Sequence, residues 1–265
     1  MSGSPTYPPH RAVEDKMASP HTEARDGGSS RRHIAPEAER TPPTRANGGK
    51  RLVLASVSPR RRELVGAFDA HVDLVAPAGD ESQPSNGETP EEYVLRLSLE
   101  KAQDGARQVH PAIVLGADTA VVVDGEVLGK PASTVEARAM LAQLRGRNHR
   151  VVTGVTALES ESGVWAASST STRITMRRYS DAEVEAYVVT GEPLDKAGSY
   201  AVQSHRFHPA EAVDGCYLNV VGLPLCEATT LLAQLGDSTR IRPDWRPPEQ
   251  CRNCPLQRGH EAGWR

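Results

Sequence analysis

This chain of 265 residues has only 2 phenylalanines and 4 cysteines, and it lacks long apolar runs. No stretch approaches the roughly 20 apolar residues of a membrane span, and none has the apolar core of a signal peptide, so we expect a cytoplasmic protein without a membrane partner. The formal net charge of −3 argues against the broad basic field that holds nucleic acid. The four cysteines are too few and too late in the chain for a secreted disulfide framework.

Several catalytic signatures are also missing. The chain has no G-x-x-x-x-G-K-[ST] and no G-x-G-x-x-G after a strand, which argues against a P-loop or a dinucleotide fold. It has no G-x-S-x-G, the usual signal of serine hydrolases. His205 and His208 have no well-spaced third ligand, so we interpret them as loop histidines.

Composition divides the chain into three parts. Residues 1–49 are rich in proline, glycine and polar residues, which predicts a disordered extension. Residues 50–236 mix strand-like and helix-like patterns without an internal repeat, which indicates a single α/β domain. Residues 237–265 are proline-rich, and we predict an extended tail that contains a C-x-x-C pair.

The C-x-x-C pair, Cys251 and Cys254, raises the question of zinc. A structural zinc site needs four ligands. The other candidates are His260 and the sequence-distant Cys216 and Cys226, so the pattern by itself does not favour a metal site.

Local signals predict the main elements. An apolar strand ends at Ser56, and Ser58 before Pro59 begins a helix. The capping boxes TPEE, STVE and Ser180 with Glu183 begin three more helices, the first with its apolar residues at 95, 99, 102 and 106. Asp124-Gly125 predicts a hairpin, 150–158 and 168–177 predict strands, and YLNVV is strand-like before a helix that begins at Pro224.

Charged residues collect next to these predicted turns and ends. Ser56, Ser58, Arg60 and Arg61 combine hydroxyl and guanidinium donors where we predict a helix N-terminus, which favours a phosphate ligand. Asp118 follows an apolar run, where a carboxylate can hold magnesium or orient water. Further cations and acids fall beside other turns, and together they fit one polyanionic ligand such as a nucleoside triphosphate: Lys101, Lys130, Asp195 and Lys196.

Five ordered motifs make the chain resemble the Maf family of nucleoside triphosphate pyrophosphatases over residues 51–236. They are LASVSPRRREL, PEEYVLRLSLEKA, GADTAVVVDGEVLGKP, GEPLDKAGSYAVQ and VVGLPL. The resemblance implies an elongated α/β domain with a central mixed β-sheet flanked by helices and a cleft between two lobes, as in inosine triphosphate pyrophosphatases. It also implies a divalent metal, Mg²⁺ or Mn²⁺, and common homodimers.

The resemblance further implies roles for individual residues. Asp118 matches the catalytic acidic residue of the family, which acts there as the proton acceptor for the attacking water. The remaining matches line the phosphate and metal site: Ser56, Arg61, Glu81, Lys101, Lys130, Asp195 and Lys196. Glu81, Asp118 and Asp195 would hold the metal, although the sequence AGDE around Glu81 departs from the family pattern.

Three positions distinguish the branches of this family. Arg60, Thr119 and Gln203 have the identities of the branch that acts on dTTP and UTP rather than on methylated GTP. Gln203 carries both a donor and an acceptor, which complement the imide edge of thymine or uracil. We therefore predict hydrolysis of the α–β anhydride of dTTP and UTP, with both ends of the chain dispensable for it.

Two other functions stay open at this level. The same pocket could sense a nucleotide in a regulator of cell division without turnover, although a sensor would not need the carboxylate of Asp118. Nucleic-acid binding by the arginines of the N-terminal extension is weaker, because acids separate them and few aromatics accompany them.

Overall fold

A mixed sheet of seven strands, flanked by helices, runs through residues 50–79 and 82–254, which the computed structural model describes. The strands are β1 (Arg51–Ala55), β2 (Val72–Val75), β3 (Ala112–Val123), β4 (Glu126–Leu128), β5 (Asn148–Glu159), β6 (Trp165–Met176) and β7 (Ala210–Asp214). The helices are α1 (Pro59–Val65), α2 (Pro90–Gln108), α3 (Thr134–Leu144), α4 (Asp181–Val189), α5 (Tyr217–Val221) and α6 (Leu225–Gln234). Short 3₁₀ helices cover Glu192–Asp195, Ala197–Ser199 and Glu249–Asn253. The predicted fold class is confirmed.

The strand order is β2-β1-β3-β5-β6-β7, with β4 paired to β3. β1 runs parallel to both of its neighbours, and the other pairs are antiparallel. On one edge, β3 pairs with β1 through residues 112–116 and with β4 through residues 121–123. Residues 117–120 therefore have no described strand beside them on that edge. This gap opens a cleft in the sheet.

Two apolar cores lie on the face of the sheet opposite α2. The first surrounds β1, α1 and α6 and includes Leu115 and Ala117 of β3. The second surrounds α3 and α4 and includes Val121 and Val123 of the same strand. The change from one core to the other falls at Thr119, directly beside the gap. The two cores form the two sides of the predicted cleft.

Two glycines bring α2 unusually close to the sheet. A Cβ at Gly116 of β3 would lie 2.1 Å from the carbonyl oxygen of Ser98, and one at Gly154 of β5 would lie 2.4 Å from that of Val94. The α2 backbone therefore rests directly on these strands. Its buried face is Val94, Leu97, Ser98, Ala102 and Gly105.

The predicted caps are largely confirmed. Reciprocal capping boxes begin α2 at Thr89 and α4 at Ser180. Ser133 caps α3 by accepting from the Glu136 amide, but the Glu136 carboxylate accepts from Ala132 instead of closing the box. The Asp124-Gly125 hairpin is present, with φ of 52° and 85° that suit these residue types.

Three predictions about elements were wrong. YLNVV is the short helix α5, because all five residues are buried and an apolar run of this length does not distinguish a helix from a strand. Asp118 does not follow a strand but lies in the middle of β3. The buried face of α2 includes Val94 and Leu97 instead of Leu95 and Leu99, because the two glycines select which side of the helix meets the sheet.

The structure describes part of the predicted C-terminal tail but none of the predicted N-terminal extension. The predicted N-terminal extension, residues 1–49, and residues 255–265 lie outside the described residues. Residues 237–254 lie against the domain: Phe68 and Ile241 form a β-bridge, and the Arg242 amide donates to the Ala67 carbonyl at 2.8 Å. No helix within the described ranges has the length and apolar character that crossing a membrane requires.

Candidate active site

A cavity of about 410 Å³ opens at the gap beside β3. Its walls come from the loop after β1, the start of α1, one residue of α2, the middle of β3, the loop after β4 and the 3₁₀ helices that follow α4. Ten of the twelve predicted site residues line it: Ser56, Ser58, Arg60, Arg61, Lys101, Asp118, Thr119, Lys130, Asp195 and Lys196. Residues separated by up to 140 positions thus meet in one site.

The centre of the cavity is an ion pair between α2 and β3. Lys101 Nζ donates to Asp118 Oδ1 at 2.6 Å, and the two side chains are only 13% and 9% exposed. The pair exists because Gly116 lets α2 settle on the strand two residues before Asp118. Two opposite charges held this close in a buried site offset each other's cost of leaving water.

Arg61 joins three parts of the site through its buried guanidinium. Nε donates to the Gly222 carbonyl and Nη1 to the Ala117 carbonyl, each at 2.8 Å, and Nη2 donates to Thr119 Oγ1 at 2.9 Å. Ala117 and Thr119 lie on the stretch of β3 beside the gap, so Arg61 satisfies a main-chain carbonyl there and also holds the Thr119 side chain. Its positive charge remains at the cavity wall.

The loop after β1 presents hydroxyl and guanidinium groups. Ser56 is buried, and its Oγ accepts from the Ser58 amide at 3.1 Å. Ser58 is the N-cap of α1, but its hydroxyl makes no capping hydrogen bond. Arg60 is half-buried, lines the cavity and makes no hydrogen bond within the described part of the chain. These groups are placed to meet a ligand.

The 3₁₀ helices after α4 bring Asp195 and Lys196 to the cavity. Lys196 Nζ donates to Asp195 Oδ1 and to the Glu192 carbonyl, both at 2.5 Å. Partial burial would raise the pKa of Asp195, but the hydrogen bond and charge of Lys196, with the charge of Arg60, outweigh it and lower the pKa. Asp195 is therefore a carboxylate at neutral pH, and it lines the same cavity as Asp118.

The cavity has a local excess of positive charge. Five cationic side chains line it, namely Arg60, Arg61, Lys101, Lys130 and Lys196, against the two carboxylates of Asp118 and Asp195. The whole protein has a net charge of −3, so this excess is a property of the site. A concave site with converging cations binds a compact polyanion.

Residues 51–235, which include every residue that lines this cavity, match the sequence profile of the family "Maf-like protein". The chain belongs to the Maf-like family. The resemblance predicted from the five motifs is confirmed.

Relatives of this Maf-like chain carry a consistent name. A dTTP/UTP pyrophosphatase from Anaeromyxobacter dehalogenans is 48% identical over 188 residues, which cover 70% of this chain and 94% of the relative. A dTTP/UTP pyrophosphatase from Dehalococcoides mccartyi is 38% identical over 207 residues, 78% and 92% of the two chains. A third, from Methanosarcina mazei, is 43% identical over 189 residues, 71% and 96% of the two chains.

A solved nucleoside-triphosphatase / dITP/XTP pyrophosphatase from Mycobacterium abscessus is also similar. The matched region covers 49% of this chain and 75% of the solved chain, with 18% sequence identity and a TM-score of 0.31. A score this low does not establish a common architecture.

Of the two remaining predicted residues, one is described away from the cavity and one is not described. Gln203 is exposed in the turn after Val202, and it does not line the cavity. Glu81 lies outside the described residues. The predicted metal site is thus represented by Asp118 and Asp195, and no group of three potential ligands within residues 50–79 and 82–254 is arranged to hold a metal ion.

Sequence reasoning missed the apolar wall of the cavity. Val121, Val151, Tyr200, Val202 and Val220 line it beside the charged groups. Most of them lie in apolar runs that are indistinguishable from core residues in the sequence. Tyr200 and Val202 did have a signal, because they adjoin Gln203 in the YAVQ motif. This wall offers an apolar surface of the kind that receives an aromatic ring.

Proposed function

We propose that this Maf-like protein is a nucleoside triphosphate pyrophosphatase, which hydrolyses dTTP and UTP to the monophosphate and pyrophosphate. The observation that carries this proposal is the Lys101–Asp118 pair inside a cavity with five cations. A nucleoside triphosphate has about four negative charges, which the five cations against two carboxylates, a net of three positive charges, would largely balance. The name shared by the relatives supports the same reaction class.

In the proposed reaction, a water oxygen attacks the α-phosphorus and the bond to the α–β bridging oxygen breaks. Pyrophosphate leaves with the bonding electrons, and Asp118 accepts the proton of the water. Lys101 holds the Asp118 carboxylate in place through the 2.6 Å contact. Arg60, Lys130 and Lys196 stabilise the phosphate charge that develops as the bond breaks.

A divalent metal fits the donors of this site. Asp118 and Asp195 both line the cavity, and carboxylate oxygens are the ligands that Mg²⁺ and Mn²⁺ prefer. Magnesium is commonly held by one or two carboxylates together with substrate phosphates, so two suffice. When bound, such an ion neutralises phosphate charge. Glu81 stays a predicted third ligand outside the described residues.

For base selection, we propose that the apolar wall at Tyr200 and Val202 holds the pyrimidine ring. Arg60, Thr119 and Gln203 would set the preference, with Gln203 acting from the rim. The Thr119 hydroxyl already accepts from Arg61, so its contribution is to fix the shape of the wall. A Gln203→Glu variant should lose preference for dTTP over 7-methyl-GTP, and unchanged preference would eliminate Gln203 as a selector.

The decisive experiment is pyrophosphate release from dTTP, UTP, CTP, GTP, ITP and 7-methyl-GTP, with magnesium or manganese. We expect turnover of dTTP and UTP, and a fall of 100-fold or more, on the order expected for loss of a general base, in Asp118→Asn. Asp124→Asn is the matched control, because Asp124 is an exposed turn residue of the same hairpin. A folded wild-type protein that binds dTTP without turnover would instead indicate a nucleotide-binding regulator.

We further propose that the protein acts in the cytoplasm, where its nucleotide substrates are found, and not on nucleic acid. The overall charge of −3 supports the second point. Homodimer formation stays a prediction, which light scattering of the purified protein would test.

A further inference from the structure

All four cysteines of the chain lie in one buried cluster near the N-terminal ends of α5 and α6. Cys216 is the N-cap of α5, and Cys226 is in the first turn of α6. Cys251 is in the 3₁₀ helix Glu249–Asn253, and Cys254 follows it. Their exposures lie between 2% and 7%, and all four belong to the first apolar core. Two come from the domain and two from the tail.

Each of the four cysteine side chains interacts with at least two of the others. The Cys216 and Cys254 thiols are hydrogen-bonded, and Cys226 lies within electrostatic range of both. Cys251 interacts in the same way with Cys226 and Cys254. None of the four is in a disulfide. The four thiols come from positions up to 38 residues apart in the sequence, so the fold brings them into this cluster.

Main-chain amides are already directed at two of these sulfurs. The Asn219 amide hydrogen-bonds Cys216, and the Leu218 amide hydrogen-bonds Cys251. The hydrogen bond with Cys254 and burial raise the pKa of the Cys216 thiol, and burial raises that of the Cys251 thiol. The two amides oppose part of this rise, because an amide that donates to sulfur favours the thiolate, which is the form that binds metals. The Cys254 amide donates to the Cys251 carbonyl at 3.0 Å, so a tight turn brings the two residues of the C-x-x-C pair together.

We propose that Cys216, Cys226, Cys251 and Cys254 form a structural site for one Zn²⁺, which fastens residues 237–254 to the domain. Four thiolates are a complete tetrahedral set for this soft-ligand ion. Binding replaces four S–H protons, which are released to solvent. No three ligands in the described ranges are preset around a metal ion, so zinc binding would require these cysteine side chains to change rotamer and converge on the ion.

The site would also support the active-site cavity. α5 separates the cysteines from that cavity, and Val220, Val221 and Gly222 at its end line the cavity wall. Gly222 is also an acceptor of Arg61. If zinc holds Cys216, the N-cap residue of α5, against the tail, α5 would move less. The part of the cavity wall that binds Arg61 would then also move less. This inference goes beyond the proposed reaction and does not depend on it.

The test is the metal content of the full-length protein, purified without a metal-affinity tag and measured by mass spectrometry. We expect about one zinc per chain, with all four thiols reactive towards a thiol reagent only after denaturation with a chelator. Replacement of zinc by Co²⁺ should produce the thiolate-to-cobalt absorption of a tetrahedral site. These readouts do not involve nucleotide hydrolysis.

Variants make the assignment specific. Cys251→Ser with Cys254→Ser should lower the zinc content at least tenfold, whereas His205→Ala with His208→Ala and Asp118→Asn should retain it. The proposal is overturned if zinc-supplemented wild-type protein contains no zinc and exposes four free thiols on denaturation. It is equally overturned if two thiols are recovered only after reduction, which would indicate a disulfide, or if Asp118→Asn loses the metal.

Discussion

The two faces of β3 at residues 116–119 perform different tasks with adjacent residues. On one face, Gly116 admits α2, and Asp118 meets Lys101 in a buried ion pair. On the other, Ala117 and Thr119 receive Arg61, and Thr119 is linked through Thr153 to the Asn219 carbonyl. Because side chains alternate along a strand, the Asp118 carboxylate meets Lys101 on one face, and the Thr119 hydroxyl supports Arg61 on the other, supporting face. We expect substitutions on the two faces to differ in kind and in size.

The largest effect is expected from Lys101→Met, which leaves Asp118 buried without its partner. Breaking a buried pair in this way should lower the free energy of unfolding by about 3–5 kcal/mol and abolish most turnover. Denaturant unfolding measures the first quantity. The double variant Lys101→Met/Asp118→Asn should regain stability but not activity. If it is no more stable than Lys101→Met, the ion pair is not the source of the loss.

Gly116→Ala should be the next most damaging change. The added methyl would lie 2.1 Å from the Ser98 carbonyl oxygen, so α2 must move away from β3, at a cost of about 3 kcal/mol. The movement also carries Lys101 away from Asp118, so turnover should fall with stability. Gly129→Ala is the control, because nothing lies within 4 Å of its added methyl. Equal effects of the two substitutions would contradict the close approach of α2.

The supporting face should carry a pH dependence of stability through His149. Burial lowers the pKa of His149 to about 4, and its Nε2 lies 2.6 Å from the Tyr200 hydroxyl. Below pH 6.5 His149 is protonated in the unfolded chain but stays neutral in the folded chain. The free energy of unfolding therefore decreases as the pH falls from 6.5 to 4. The full loss is about 3 kcal/mol. Unfolding free energies of the wild type across this range measure it.

The matched variant is His149→Phe/Tyr200→Phe, which removes both polar partners. It should lose less stability than the wild type between pH 7 and pH 4, because it has no imidazole to protonate. A constant difference in stability from the wild type between pH 7 and pH 4 would assign the pH dependence to other groups.

Thr119→Val should have the smallest effect. It removes the hydroxyl that accepts from Arg61 and contacts Thr153, so we expect a loss of about 1–2 kcal/mol in the free energy of unfolding. Turnover should fall much less than in Asp118→Asn. Thr119→Ser keeps the hydroxyl and should restore most of the stability. A Thr119→Val enzyme as impaired as Asp118→Asn would remove the distinction between the two faces.

Local signals in the sequence predicted what depends on near neighbours. The capping boxes at Thr89 and Ser180 and the Asp124-Gly125 hairpin need only a few consecutive residues, and all are present. Most of the candidate site was also predictable, because its charged residues are recognisable by type and motif. Arg61 was predicted to bind phosphate, but the acceptors that occupy its donors come from β3 and from Gly222, which no local pattern reveals.

The amino-acid sequence alone determined the α/β class, the family and the chemical identity of the site, because these follow from periodicity, caps and motifs along the chain. Only the tertiary structure decided that Asp118 lies inside a strand, that YLNVV is a helix and that Cys216 and Cys226 meet the C-x-x-C pair. The physical reason is that these outcomes depend on which surfaces pack together. Such packing is settled by contacts between residues far apart in the sequence, among them the close approach that Gly116 permits.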